Sequence, residues 1–156
     1  MTPEELVEIE TIKQLKYRYM RCLDLKRWDE IATCFSEDAT SAYSGGKYAY
    51  EGRDAIVEFF RGAMGPEMVT SHHVHHPEIA LTSATTATGT WSLEDTVIHT
   101  THDFTLRGAA FYRDDYVKVD GEWKIQHTGY ERIYEEVHPR EDIPGLQLTQ
   151  NMWEEG

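Results

Sequence analysis

Two hydrophobic periods divide the chain. Up to about residue 63 the apolar side chains recur every three or four positions, and from Val69 onward they alternate. From Pro3 to about Leu25, the residues Val7, Ile9, Ile12, Leu15, Tyr19, Cys22 and Leu23 fall at helical spacing and predict an amphipathic helix. Thr2 opens it, Pro3 occupies a tolerated first-turn position, and Glu4 and Glu5 lie at the positive end of the helix dipole. Residues 28–35, WDEIATCF, predict a second short helix with Trp28, Ile31 and Phe35 on one side, and SEDA follows as a break. Residues 40–50 predict a hairpin around Gly45-Gly46. Residues 53–63 return to helix, burying Ile56, Phe59 and Phe60.

The stretch ATTATGTWSLEDTVIH has period two. Ala87, Gly89, Trp91, Leu93, Asp95 and Val97 share one face, and Thr86, Thr88, Thr90, Ser92, Glu94 and Thr96 share the other. Residues 109–119 predict another strand, and Asp120-Gly121 is a tight-turn signal into EWKIQHTGYERIYEE. Helices first and long antiparallel strands afterwards predict an α+β domain, in which a curved sheet wraps the helices and leaves a cavity between the layers. The end of the chain carries two prolines and two glycines and is expected to be irregular. Its Leu146, Leu148, Met152 and Trp153 fit either a docked segment, over a pocket mouth or a neighbouring subunit, or a loose tail.

Composition narrows the function classes. A chain of 156 residues is one ordinary domain, large enough to bury a core without disulfides. With 28 acidic against 15 basic residues, the net charge of −13 repels polyanions and argues against nucleic-acid binding. No apolar run approaches the roughly 20 residues of a membrane span. The acidic start, MTPEELVEIE, lacks the features of a signal peptide. Cys22 and Cys34 show no metal-like spacing, so a reduced, cytoplasmic protein is expected.

The candidate chemistry centres on Asp95 and a histidine run. Period two puts Asp95 on the apolar face between Leu93 and Val97, where a carboxylate is costly unless paired. The competing reading is a charge at the rim of the sheet. In VTSHHVHHPEI four histidines occupy five positions, His72, His73, His75 and His76. On a strand His72, Val74 and His76 face one way, and His73 and His75 the other. Residues four apart are roughly 13 Å from one another and cannot share an ion. Residues two apart, at about 6–7 Å, need a further ligand such as Asp95, His99 or His102. No metal is therefore assigned. A histidine beside a buried aspartate is the alternative, because the carboxylate fixes the imidazole tautomer and makes a competent base. Tyr19 lies on the helical stripe, and Asp24 is turned roughly 140° from it on an ideal helix. The two share a cavity only if the helix ends near Leu23. Arg132, between Tyr130 and Tyr134, reads either as a surface arginine over tyrosine rings or as a cation for a substrate carbonyl or carboxylate. Strict alternation sets it opposite Trp123, Ile125 and His127, so either Gly129 bulges or the halves of the strand face different layers.

The stretches IKQLKYRYMRCLD, SHH…HPEI, TTATGTWSLED, GAAFYRDDYVKVDGEWKI and TGYERIYEE, within residues 8–138, resemble the SnoaL-like branch of the nuclear transport factor 2-like proteins. Within that branch the resemblance is greatest to the bile acid 7α-dehydratase family. It implies a cone-shaped α+β barrel over residues 1–138 with a tail at 139–156. It also implies a cofactor-independent dehydratase acting on a hydrophobic, steroid-like hydroxy ketone or enone. The resemblance carries the pocket set onto Tyr19, Asp24, His72, Asp95 and Arg132. It makes His72 the base, oriented by Asp95, with Tyr19, alone or with Asp24, at the departing hydroxyl or the developing enolate oxygen. His75 is a supporting residue, and Trp91, His75, Phe111 and Tyr130 are expected to contact substrate. His73 and His76 fall outside the pattern, and the loop HTTHDFTLRG differs from it. Trimers or dimers are common in such proteins, and the threonine face of residues 86–96 suits a sheet contact. The alternatives are related chemistry on an aromatic or cyclic substrate (isomerase, dehydrochlorinase, diaryl-propane lyase) and a non-catalytic hydrophobic-ligand binder.

Overall fold

The computed structural model describes residues 1–154. Helix α1 runs Pro3–Asp24 and starts with a reciprocal cap: the Thr2 hydroxyl accepts from the Glu5 N–H at 3.1 Å, and the Glu5 carboxylate accepts from the Thr2 N–H at 2.8 Å. Ile12, Leu15, Tyr19, Cys22 and Leu23 are buried as the spacing predicts, whereas the first turns, with Val7, stay exposed. The helix stops at Asp24, and Lys26 then turns left-handed with φ +55°.

Helix α2 spans Trp28–Ala32, and strand β1, Phe35–Tyr43, begins earlier than expected. SEDA is therefore strand, not a break. The ladder to β6 is irregular between Phe35 and Thr40, which leaves Glu37 and Asp38 in solvent and gives the stretch its polar look. β1 forms a hairpin with β2, Tyr48–Glu51, through a turn in which Ser44, Gly45 and Gly46 all have positive φ. Helix α3 covers Arg53–Ala63, as predicted, and buries Ile56, Val57 and Phe60.

Four long strands follow: β3 (Met68–Leu81), β4 (Thr86–His99), β5 (Phe104–Val119) and β6 (Glu122–Pro139). The order is β2-β1-β6-β5-β4-β3, with β1 parallel to β6 and the other pairs antiparallel, so the sheet is mixed, curved and open. The concave face supplies Trp91, Leu93, Ala110, Tyr112, Tyr116, Trp123 and Ile125 to the core, against the apolar stripes of α1 and α3. The threonine face of β4 looks outward.

Two extra residues in β6 resolve the alternation conflict at Arg132. His127 and Ile125 pair with the adjacent Asp115 and Tyr116, leaving Gln126 unopposed; Ile133 is likewise extra between Arg132 and Tyr134. The bulge at Gln126, not at Gly129, shifts the parity of the strand. Trp123 and Ile125 before it face inward, and so do Thr128, Tyr130 and Arg132 after it. Gly129 serves a different need: a Cβ there would stand 2.5 Å from the Ala42 carbonyl oxygen of β1.

Beneath the concave surface lies a buried polar network. Lys16 Nζ is 2.8 Å from Asp114 Oδ2, and both side chains are fully buried. Tyr116 and Thr128 each donate a hydroxyl to that carboxylate at 2.7 Å, and Trp91 Nε1 donates to the Tyr116 hydroxyl at 2.9 Å. The Lys16 ammonium also sits over the Tyr112 ring, 3.6 Å from its centroid. Burial pulls the Lys16 amine below its usual range, and Asp114 opposes the shift.

The tail begins with a short 3-10 turn, Arg140–Asp142. Arg140 donates its N–H to the Asp103 carbonyl at 2.9 Å and its guanidinium to Thr105 Oγ1 at 2.7 Å. Ile143, Leu146 and Leu148 then share surface clefts with Ile98. Trp153 ends against Lys26, whose ammonium is 5.1 Å from the indole centroid.

Candidate active site

A cavity of about 390 Å³ opens between the concave sheet and the helices. Its apolar wall comes from Leu23, Phe59, Phe60, Val97, Phe104 and Leu106, and its hydroxyls from Tyr19, Tyr43, Tyr112 and Tyr130. The ionisable groups His72, Asp95, Arg132 and Glu135 also line it. Of the nine residues expected at the site, Tyr19, His72, Asp95, Tyr130 and Arg132 meet in this space.

Register explains the meeting. His72 on β3 faces Asp95 on β4, Asp95 faces Gly108 on β5, and Gly108 faces Glu135 on β6. One row thus crosses four strands. Gly108 leaves the space in which the Arg132 guanidinium rests, since a Cβ there would stand 2.9 Å from Arg132 Cζ and 3.0 Å from the Tyr134 carbonyl oxygen. Arg132 grips Asp95 through both terminal nitrogens, at 2.5 and 2.9 Å. Its Nε faces Glu135 Oε1 at 3.4 Å. The Asp95 hydrogen bonds raise the Arg132 pKa further and keep it cationic.

The expected pairing of His72 with Asp95 is replaced. His72 Nδ1 lies 2.6 Å from Asp24 Oδ1, and the His72 backbone N–H donates to Asp24 Oδ2 at 2.8 Å. The Thr70 hydroxyl donates to Asp24 Oδ1 at 2.9 Å. Asp24 reaches β3 because it is the last residue of α1, so its carboxylate projects past the helix end rather than around the helix. It stands behind His72, outside the cavity lining, and not beside Tyr19 at a departing oxygen. Cross-strand position favours Asp95 as the partner, but Arg132 already takes both of its oxygens. With Nδ1 held by a carboxylate, Nε2 is the ring nitrogen left for the cavity, the arrangement of a general base.

The hydroxyl side of the cavity is linked. Tyr19 and Tyr43 share a hydrogen bond of 3.0 Å. Burial drives both phenols well above the usual tyrosine range, so they remain protonated donors.

The remaining expected residues lie elsewhere. Trp91 is fully buried below the cavity in the Tyr116 network, because its indole N–H finds a partner there. Phe111 faces outward, in a shallow depression with Arg113, His127 and Glu131. His75 also points outward and meets Glu94 at 2.8 Å in solvent. His76 departs from the face of His72: a bulge between His75 and Glu78 gives it φ +29°, and it is exposed. His73, His75 and His76 form a loose outer stack with centroids 6.5 and 6.2 Å apart. Among the described residues no three His, Cys, Asp or Glu side chains converge on a metal-sized point. No described residue of the tail lines the cavity.

Sequence reasoning missed Thr70, Tyr43, Gly108 and Glu135. Period two along β3 puts Thr70 on the His72 face and could have found it. Glu135 carries no such signal, because the Ile133 bulge separates it from Arg132.

Solved structures share this fold. A crystal structure of a candidate scytalone dehydratase from Novosphingobium aromaticivorans DSM 12444 is similar with a TM-score of 0.81 and 28% identity, over 87% of this chain and 91% of that one. A type 2 hexachlorocyclohexane dehydrochlorinase (LinA) matches at 0.81 and 18% identity, over 94% and 95% of the two chains. The LinA-type3 enzyme from Novosphingobium barchaimii LL02 matches at 0.80 and 17% identity, over 94% and 97%. These are helices followed by a curved mixed sheet, the cone-shaped fold that the sequence resemblance implied. The SnoaL-like domain matches residues 4–129, most of the chain, and the protein belongs to that family.

Proposed function

We propose that the protein is a lyase that eliminates water from a hydrophobic cyclic hydroxy ketone or enone, with His72 as general base. The observation that carries this reading is the 2.6 Å contact of His72 Nδ1 with Asp24, made by a histidine whose other nitrogen is left for an apolar cavity. His72 Nε2 removes a proton from a carbon made acidic by an adjacent carbonyl. Asp24 stabilises the imidazolium that results. The C–H and C–O bonds break, a C=C bond forms, and the leaving hydroxyl takes the proton from His72 and departs as water. Tyr19, tied to Tyr43, donates to the carbonyl oxygen as it gains enolate character. Arg132, engaged by Asp95, contributes a fixed dipole at the cavity wall rather than a free cation.

A steroid-like skeleton is supported by the sequence resemblance to bile acid 7α-dehydratases and by the size of the cavity, which falls within the range of about 300–1,000 Å³ typical of small-molecule sites. A second reading keeps the same base and changes the leaving group. The dehydrochlorinase relatives support loss of chloride from a chlorinated ring. The test is incubation of the purified chain with steroid 7-hydroxy-3-oxo-4-enes and chlorinated cyclohexanes, followed by mass spectrometry and chloride release. Dehydration abolished by His72→Ala supports the proposal. Binding without turnover of either set would make the protein a ligand carrier.

A further inference from the structure

The cavity has a charge pattern that the reaction itself does not require. Among the described residues that line it, Arg132 is the sole lysine or arginine. All three of its guanidinium nitrogens face carboxylate oxygens: Nη1 and Nη2 those of Asp95, and Nε that of Glu135 at 3.4 Å. Glu135 keeps about half its side chain exposed. A third carboxylate, Asp24, stands directly behind His72. Neighbouring cations are directed elsewhere. Lys16 lies under Tyr112 against Asp114, and Lys26 donates to the Met68 carbonyl at 2.7 Å. Exposed Lys47 sits over the Tyr48 ring in the β1–β2 turn. Two lining carboxylates, with Asp24 behind them, against one engaged guanidinium give the site an excess of acidic groups.

We infer that the part of the substrate held in this cavity is an uncharged ring system, and that the site discriminates against carboxylates and other anions. The inference rests on the reading of this cavity as the substrate site and names its substrate class. An anionic group placed beside His72 would meet Asp95 and Glu135, with Asp24 behind the imidazole. Among the lining cations it would find only Arg132 Nε, which makes no hydrogen bond but is buried 3.4 Å from Glu135 Oε1, so it would lose hydration with little compensation. An uncharged ketone is served by the tyrosine hydroxyls, and its rings by the aromatic wall. The carboxylate or coenzyme A thioester of an acidic substrate has no partner inside and can only lie beyond the mouth. The arrangement is enforced by Gly108, which lets one arginine lie between two acids from neighbouring strands.

The test compares two probes of equal ring size, 2-naphthol and 2-naphthoate, by isothermal titration calorimetry at pH 7. The wild-type chain is expected to bind the naphthol at least about tenfold more tightly. Glu135→Gln, at a half-exposed position, removes one of the acids and is expected to narrow the ratio by strengthening naphthoate binding more than naphthol binding. Equal or tighter binding of naphthoate by the wild type overturns the inference. So does a ratio unmoved by Glu135→Gln, or failure of both probes to bind. Binding is read without turnover, so the outcome is separable from the lyase reading. If His72-dependent dehydration favoured a ring bearing an internal carboxylate over its methyl ester, the lyase would stand and this inference would fall.

Discussion

His72 and Asp95 oppose one another across the β3–β4 ladder, yet each is bonded to a different partner: Asp24 from the end of α1, and Arg132 from β6. The site therefore holds two separate acid–base pairs side by side. One has a nitrogen available for proton transfer. The other is closed on itself.

Asp24→Asn should lower kcat by about 10²–10⁴-fold, the range expected when a general base loses its correct protonation state and orientation. His72→Ala should lose as much or more, and both variants should keep the wild-type circular dichroism spectrum. Alanine at His73, His75 or His76 should change turnover less than about twofold, since surface changes away from a site are near neutral. Steady-state kinetics on the four histidine variants separates the base from its neighbours. A large loss at His75 would sink the assignment.

The Arg132–Asp95 pair predicts a different failure. Arg132→Met removes the guanidinium and leaves Asp95 buried without its partner. Breaking a buried pair in this way costs about 3–5 kcal/mol. Denaturant melts should show that loss, with activity falling in parallel.

Lys16→Met should cost a similar amount, about 3–5 kcal/mol, because it strands Asp114 in the core. The double variant Lys16→Met with Asp114→Asn should recover part of the loss. Urea midpoints for the two variants decide the matter, and equal stability of single and double variants would count against a coupled pair.

Stability should fall steeply in alkali. Burial raises the pKa of Tyr19, Tyr43, Tyr112 and Tyr116 well above the usual tyrosine value. The unfolded chain ionises near pH 10 while the folded chain keeps the protons, so the folded state binds more protons and each pH unit above that point weakens it. Their stabilising effect is complete below about pH 10 and is lost as pH rises towards the folded values. Four such groups give about 5 kcal/mol per pH unit. Unfolding at pH 9 and pH 11 measures the slope, and Tyr19→Phe should reduce it by about a quarter.

Much of this site was legible in the chain, and the parts that were not have physical reasons. Period two alone put Asp95 on the core face. It could not name the partner, because Arg132 reaches Asp95 over a glycine on an intervening strand, and only after a bulge has reversed the parity of β6. The helical wheel placed Asp24 away from Tyr19 and allowed a shared site only near the helix end. That end is where Asp24 works, behind the histidine. The burial of Lys16 leaves no local signal in the sequence, since its partner lies 98 positions away on β5.

The bulge at Gln126 acts as a reading frame in space. It leaves the residues before it where they are and decides which face every later side chain of β6 presents, until Ile133 resets the count. Deleting Gln126 would leave Ile125 and His127 in regular alternation and keep Thr128, Tyr130 and Arg132 facing inward. A strand that kept Gln126 inside the regular pairing would instead turn them outward and bring Gly129 and Glu131 into their places. The chemistry of this strand therefore depends on a residue that touches none of it being set aside from the ladder.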